Sequence, residues 1–242
     1  MRKYVISIMS PFLLSVATAP ALAQDKYKDF GFIGAGLAIG KSVFSHQGTK
    51  AGVEPYLFYN SEHGFIDGSL FTYNPIPFIG LSGNLRFAEV SEDFNDIPSG
   101  INNRDSNGEL GITLGTVGAR LTYLLDVTNE QNGYEIQLHF GRAFDTPITD
   151  FVLSPYVEID YRDKKLSRHL YSVSAQESSA SGLAEFNADE TWVYKGGVIA
   201  LYDFSENWLA ISAVALEHHD IDSPLVQNDL GWEFSLGAIY KF

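Results

Sequence analysis

Hydrophobic and polar positions alternate with a period of two along most of this chain, most sharply at its end. From Leu230 to Phe242, Leu230, Trp232, Phe234, Leu236, Ala238, Tyr240 and Phe242 fall on one face of a strand. Gly231, Glu233, Ser235, Gly237 and Lys241 fall on the other, which only Ile239 breaks. One apolar, aromatic-edged face and one polar face suit a strand with lipid on one side and a polar lumen on the other. The pattern recurs upstream. Ile79 to Phe87 puts Ile79, Leu81, Leu85 and Phe87 outward against Ser82, Asn84 and Arg86. Gly133 to Phe144 puts Tyr134, Ile136, Leu138 and Phe140 outward against Glu135, Gln137 and His139, and Phe151 to Arg162 sets Val157, Ile159 and Tyr161 against Glu158, Asp160 and Arg162.

Further strands are predicted at Phe30 to Gly40, Val53 to Tyr59, Phe65 to Thr72, Leu166 to Ser174, Thr191 to Phe204 and Trp208 to His218. Glu109 to Thr128 is too long for a membrane strand of about 9–11 residues. Gly115-Thr116-Val117-Gly118 can turn it, giving Glu109 to Leu114 and Ala119 to Val127. The expected fold is all-β: a transmembrane, antiparallel, up-and-down β-barrel of about 12 strands, with 10 as the alternative, since bacterial single-chain barrels have even counts. With both termini periplasmic, Ser45 to Lys50, Ala175 to Glu190 and Asp220 to Asn228 become outward loops, and Ser205 to Asn207 a periplasmic turn. The same count makes Ser91 to Asn107 a long periplasmic connection. Either it is a docking segment or plug, or one strand is miscounted.

The N-terminus fits export. Arg2 and Lys3 precede an almost wholly apolar or small stretch from Tyr4 to Ala17, and Ala21-Leu22-Ala23 is a small-x-small cleavage site. Residues 1–23 therefore read as a cleaved signal peptide and 24–242 as the barrel domain. No Cys follows the cleavage site for a lipid anchor, and the chain has no Cys at all, hence no disulfide, thiol nucleophile or Cys-based metal site. Past the signal, no apolar run is long enough for a spanning helix.

Composition agrees. Hydrophobic residues make up 45% of the chain, yet its mean hydropathy is close to zero, as expected when half of each strand faces lipid and half faces water. Aromatics reach 14%, enough for girdles at the two membrane interfaces. The formal charge of −14 argues against a nucleic-acid partner.

Candidate chemistry is sparse. A lipid hydrolase would need Ser, His and an orienting polar residue to converge. The chain offers His46, His63, His139, His169, His218 and His219, with Asp220, Asp222 and Ser223 beside the last two. Neighbours on a strand point to opposite faces, so His218 and His219 cannot serve one site. No ligand spacing supports a metal at His218, His219, Asp220 and Asp222. No catalytic residue, cofactor or metal is expected, and the protein is predicted not to be an enzyme. The expected inward set comprises Glu54, Arg86, Arg120, Asp126, Glu135, His139, Glu158, Asp160, Arg162, Lys195, Glu233 and Lys241. Both signs occur, so such a lumen can knit itself shut through ion pairs, or form a narrow cation-preferring path at a width between filled eight-stranded barrels and open porins.

Five blocks carry a resemblance: NGELGITL at Asn107 to Leu114, ARLTYLLDVT at Ala119 to Thr128, YSVSAQESSASGL at Tyr171 to Leu183, DSPLV at Asp222 to Val226, and the closing GAIYKF. In order and spacing they resemble the MipA/OmpV family, the MltA-interacting outer-membrane proteins. Two departures are Tyr171-Ser172-Val173, where the family usually has Gly before Val, and Phe44-Ser45-His46, which lacks the family's Pro and acidic residues. The resemblance implies a monomeric barrel in the outer membrane of a Gram-negative cell, in contact with outer-membrane lipid and delivered by the barrel-assembly machinery. It also implies a scaffold for a periplasmic lytic transglycosylase and, with it, a murein synthase. Ser91 to Asn107 is the expected docking segment and Gln24 to Asp29 a second surface. A narrow channel for small solutes or antibiotics, or a surface adhesin, is the alternative.

Overall fold

Strands with one lipid face cannot end in an open edge, because backbone N–H and C=O groups left unpaired in hydrocarbon each cost several kcal/mol. The computed structural model, which describes residues 29–46, 48–92 and 96–242, closes the sheet on itself. Residues 1–23 lie outside that description.

The strands are β1 (Phe30–Lys41), β2 (Lys50–Ser61), β3 (Gly64–Asp67), β4 (Leu70–Ile76), β5 (Ile79–Arg86), β6 (Asn107–Thr116), β7 (Ala119–Asp126), β8 (Tyr134–Gly141), β9 (Phe144–Asp145), β10 (Phe151–Arg162), β11 (Thr191–Asp203), β12 (Trp208–Asp220) and β13 (Gly231–Lys241). Each pairs antiparallel with its neighbour, and β1 closes the ring against β13. β9 continues the position of β8 along β10, so the wall has 12 strands. Two helices, α1 (Lys164–Tyr171) and α2 (Ala175–Ser181), lie between β10 and β11.

The predicted number is met, but two of the predicted strands are not as expected. Leu166 to Ser174 is not a strand: Asp163 caps α1, its Oδ1 accepting from Leu166 N–H at 3.1 Å. Leu166 and Leu170, four apart, fall on the buried face of a helix. Phe65 to Thr72 is not one strand either. Gly68, at φ +60°, turns the chain in the left-handed region that glycine tolerates, and splits it into β3 and β4. One false strand and one missed hairpin leave the total unchanged and shift the parity of everything between them.

That shift relocates Ser91 to Asn107. The start of β1 and the end of β13 meet at one rim, where Phe242 N–H donates to Gly31 O at 3.0 Å; four of the five connections at that rim are short, 62–63, 77–78, 117–118 and 204–207, and the fifth, 142–150, carries β9. The long connections 42–49, 87–106, 163–190 and 221–230 gather at the other rim. His46 N–H donates to Asp96 O at 2.6 Å, Arg104 pairs with Glu177 at 2.8 Å, and Ser223 Oγ donates to Tyr171 O at 2.6 Å. Short periplasmic turns and long extracellular loops are the rule for such barrels. Ser91 to Asn107 therefore belongs to the outer cap, not the periplasm, and the expectation of a periplasmic docking segment there is overturned. The three loops predicted outward share that rim, and the Ser205 to Asn207 turn lies at the opposite one, as expected.

Alternation sorts the side chains. Leu37, Leu81, Leu110, Val157, Val214 and Leu236 are among the exposed apolar residues of the outer face, an apolar area beyond what a soluble monomer leaves in water. Aromatic rings edge it at both rims. Tyr123, Tyr134, Tyr161 and Trp192 follow one another at centroid separations of 5.3, 6.2 and 5.1 Å. At the terminal rim Trp208 meets Tyr240 at 5.5 Å. Inside, Phe32, Leu209, Ile211 and Ile239 pack with Phe30 and Phe58 and fill that end of the lumen.

One stretch of wall is incomplete. β2 pairs with β3 only from Phe58 to Ser61, and the β3–β4 hairpin turns back at Gly68, whose N–H donates to Leu57 O at 3.0 Å. Above it, Ala51 to Pro55 of β2 pair with β1 alone, and β5 is the next strand round. Leu57 O points to the β3 side, so by alternation the backbone groups of Ala51 and Val53 face the gap, as does the nitrogen of Pro55. Proline, lacking N–H, is tolerated in strands where that side carries no partner.

Single-cysteine labelling of intact cells checks the orientation, since the native chain has no Cys. Ser99→Cys is expected to react with a membrane-impermeant maleimide from outside, and Glu206→Cys only after the outer membrane is permeabilised. The opposite pattern would return Ser91 to Asn107 to the periplasm.

Candidate functional site

Inward-facing polar residues at the upper ends of β5, β6, β8 and β10 converge where the lumen meets the cap. Arg86 reaches three carboxylates: Nε to Glu109 Oε1 at 2.8 Å, Nη2 to Glu135 Oε1 at 2.9 Å, and Nη1 to Glu89 Oε1 at 2.9 Å. Arg162 takes the other sides of the last two, with Nε to Glu135 Oε2 at 2.8 Å and Nη1 to Glu89 Oε2 at 2.9 Å. Glu135 is wholly buried and Arg162 almost so. Two forked cations matched bidentately to three carboxylates satisfy most of their hydrogen-bonding capacity, the condition under which buried charge is tolerated.

The cluster is wired into the cap. Arg162 Nη1 donates to Tyr171 Oη at 2.5 Å, and that hydroxyl lies 3.0 Å from His219 Nδ1. Tyr171 also belongs to a buried apolar core made by the loops, with Val43, Phe44, Val90, Ile101, Leu170 and Leu225. Fully burying such a side chain is worth about 1.5–3 kcal/mol, so the loops form a packed lid. Ser174 and Glu177 make a reciprocal capping box at the start of α2. Burial would raise the Glu177 pKa, but the Arg104 guanidinium and the Ser174 N–H and hydroxyl hold it down at about 2. Glu89 behaves alike: burial opposes its charge, and Arg162 and Arg86 outweigh it, holding its pKa at about 2.

Deeper in the lumen, Lys195 bridges Asp160 at 2.7 Å and Glu158 at 3.2 Å, His139 Nδ1 lies 3.0 Å from Glu158, and Arg120 pairs with Asp67 at 2.8 Å. Nearby, Thr72, Ser82, Thr113 and Thr122 link hydroxyl to hydroxyl at 2.9, 2.6 and 3.0 Å. A cavity of about 420 Å³ is lined by several of these groups, Asp67, Arg120, Glu158 and Lys195, together with Arg86, Glu135, Arg162 and Glu217.

The expected inward residues are thus inside. Asp126 departs in role: its carboxylate accepts the N–H groups of Thr128, Gln131 and Asn132 and shapes the 127–133 loop. Lys241 pairs with Asp203 at the terminal rim, 2.9 Å away. Four acids were not on the inward list. Glu109 opens the strand that begins the ELG block, and Glu217 lies one alternation before His219; both were readable by parity. Asp67 was hidden by the missed hairpin, and Glu89 sits in a loop without periodicity.

The histidines do not meet. His218 points out and stacks on Tyr194, whereas His219 points in to Tyr171. Burial holds the His169 imidazole on α1 below its ordinary value. Ser223 is spent on Tyr171 O. Among the described residues no group of three or more His, Asp or Glu is arranged to hold a metal ion.

A closed antiparallel barrel with an apolar, aromatic-edged exterior and a charged interior defines an outer-membrane β-barrel. The family model for MltA-interacting protein MipA matches residues 33–242, and the chain belongs to that family. It is 24% identical over 256 residues to the putative outer membrane protein YiaT of Escherichia coli K12, covering 100% of this chain and 98% of that one. It is 27% identical over 93 residues to the MltA-interacting protein of the same organism, covering 37% and 38%. Among solved structures it is similar to the N-terminal β-barrel domain of Pseudomonas aeruginosa OprF, with a TM-score of 0.28, 9% identity and 89% and 98% coverage. The channel DcaP of Acinetobacter baumannii gives 0.32, 11%, and 88% and 96%.

Two outcomes test the cluster. Arg162→Met leaves Glu135 and Glu89 short of a cation, and breaking such a buried set costs about 3–5 kcal/mol; the unfolding midpoint in urea is expected to fall well below that of Lys165→Met on the surface. Acid acts on the same joint. Glu89 and Glu177 have depressed pKa values in the folded state, so the stability they contribute is present above the ordinary carboxylate range and is lost as pH falls from about 4.5 toward about 2. Hydrogen-exchange protection of residues 163–190 is expected to drop across that window while the strands stay protected.

Proposed function

We propose that this protein is a non-enzymatic tether, a barrel whose filled lumen anchors a periplasmic murein-remodelling enzyme at the outer membrane. The observation that carries this reading is the packing of both ends of the lumen: the apolar cluster around Ile239 at the terminal rim and the lid core above Arg162. A barrel filled in this way works through its surfaces. Family membership and the relative named MltA-interacting protein support a lytic transglycosylase as the partner, with a murein synthase recruited alongside.

Because Ser91 to Asn107 lies in the outer cap, docking falls to the periplasmic rim. A closed barrel offers no strand edge there, so turns must serve. Two present apolar tips: Phe78, 63% exposed, in the 77–78 turn, and Ile148, 63% exposed, in the 146–150 connection. Of the second surface expected from the sequence, Gln24 to Asp29, only Asp29 lies within the described residues.

A narrow channel is the second reading, favoured by the charged cavity of about 420 Å³. Capture and conductance separate the two. The purified barrel is expected to retain a lytic transglycosylase and to stay silent in planar bilayers, and Phe78→Ser with Ile148→Ser is expected to weaken capture at least tenfold while the barrel remains heat-modifiable. Ion-selective steps that change with Glu158→Gln, without capture, would replace the tether by the channel.

A further inference from the structure

The cavity at the lumen-cap junction is lined by residues of both surfaces of the wall. Arg86, Glu135 and Glu217 face the lumen, yet Ser69, Leu85 and Phe87 line the same space, and Leu85 and Phe87 belong to the outer, lipid-facing side, 62% and 63% exposed. Ser69 and Leu70 at the β3–β4 turn and Leu85 and Phe87 beside it border the space on the β5 side of the gap between β2 and β5. Gly52, at its upper edge, has nothing within 4 Å of where a Cβ would stand, and neither does Gly68 at its sill.

Such a gap is unusual for membrane protein. Backbone groups of Ala51 and Val53 face it without a strand partner, an arrangement tolerated at membrane depth only where the edge is wet or covered. Pro55 removes one donor from that edge. The sides are apolar, with Val53 73% exposed on β2 opposite Leu85 and Phe87, and the interior behind them is charged. An amphiphile meets both demands at once: an acyl or alkyl chain on the outer apolar rim, and a polar head in the lumen able to bond the free edge.

The charge of the head follows from which lumen groups are already committed. Arg86 holds Glu89, Glu109 and Glu135, Arg162 holds Glu89 and Glu135, Arg120 holds Asp67, and Lys195 holds Glu158 and Asp160. An anionic head would have to compete with these buried carboxylates. Glu217 lines the cavity, and Glu54 and Glu233 face the lumen from β2 and β13. Among the described residues none of these three makes an ion pair with Lys or Arg. Glu217 lies 3.6 Å from His219 Nε2, so a protonated amine there would share that carboxylate with an imidazole, and it would gain charge-assisted hydrogen bonds without displacing a Lys or Arg.

We propose that the gap between β2 and β5 is a lateral binding site for an amphiphile with a protonated amine head, which enters from the outer leaflet and seats the amine toward Glu217 and Glu54. The site is separate from the periplasmic turns invoked for tethering and stands or falls independently of them.

The test is titration calorimetry of the full barrel in nanodiscs of zwitterionic lipid, with empty nanodiscs as the blank. The probes are dodecylamine, dodecyl sulfate and ethanolamine. Dodecylamine is expected to give a saturable heat of one equivalent, and the other two none. Glu217→Gln with Glu54→Gln is expected to weaken binding about tenfold or more, and Ser69→Trp, which fills the sill without touching a carboxylate, to do the same. Should Ser69→Trp fail to give a heat-modifiable barrel, Gly52→Trp serves at the upper edge, where there is room for it. No saturable heat with dodecylamine, equal binding of dodecyl sulfate, binding of ethanolamine as tight as that of dodecylamine, or indifference to the tryptophan substitution would each overturn the proposal.

Discussion

The joint between wall and lid depends on burying charge without leaving it unpaired. Arg86 and Arg162 project into the lumen from β5 and β10, where the pleat would otherwise point two cations at each other. Glu135 on β8 divides its two oxygens between them, and Glu89, arriving from the loop after β5, does the same from above. Three strands, and the loop that follows the first of them, are held in register by geometry that a lysine could not reproduce, since only the planar guanidinium offers a fork to each carboxylate. The lid is then built on this base. Tyr171 at the end of α1 accepts from Arg162, and the apolar loop core closes over the ring. In this order the lumen cluster precedes the lid: without a neutralised floor, the loop core would be packed over unpaired guanidinium groups.

This explains where the family's most specific sequence blocks fall. YSVSAQESSASGL supplies the Tyr171 hydroxyl, the Ser174–Glu177 capping box and the Gly182 turn that ends α2 at φ +77°. DSPLV supplies Ser223, bonded to Tyr171 O, and Leu225, wholly buried in the lid core. The two blocks lie far apart along the chain and touch in space. They are structural parts of one lid.

How much could be read from the chain follows from the length of each signal. Strands of eight or more alternating residues, such as β10 and β13, were plain, and their inward residues with them. β3 has four residues, too few for alternation to declare itself, and its partner β4 merged with it across Gly68. Leu166 to Ser174 misled for another reason: Leu166 and Leu170 fit both even spacing and a helical face, and the deciding feature was Asp163 three residues ahead of Leu166. A capping carboxylate there is a start signal for a helix. Parity then carried two local errors into a topological one, and the long connection from Ser91 appeared on the wrong side of the membrane. Its length was itself the symptom, since periplasmic turns are short.

The short hairpin has a structural cost: it leaves part of one strand edge without a neighbouring strand. Above Gly68 the β2 edge, from Ala51 to Pro55, pairs with β1 alone. Sequence around it is adapted to that condition. Pro55 stands where a donor would have no acceptor, Gly68 and Ser69 keep the turn low, and Lys50 reaches across the top to the Glu92 carbonyl at 2.5 Å, tying the strand end to the loop after β5. A defect would be expected to collapse or to be bridged by a longer hairpin. Here the gap is framed on every side: by proline on one edge, by a glycine turn below, by a lysine strap above and by Leu85 and Phe87 opposite. A frame of that kind preserves an opening, and the charged, pair-exhausted lumen behind it defines what could use it.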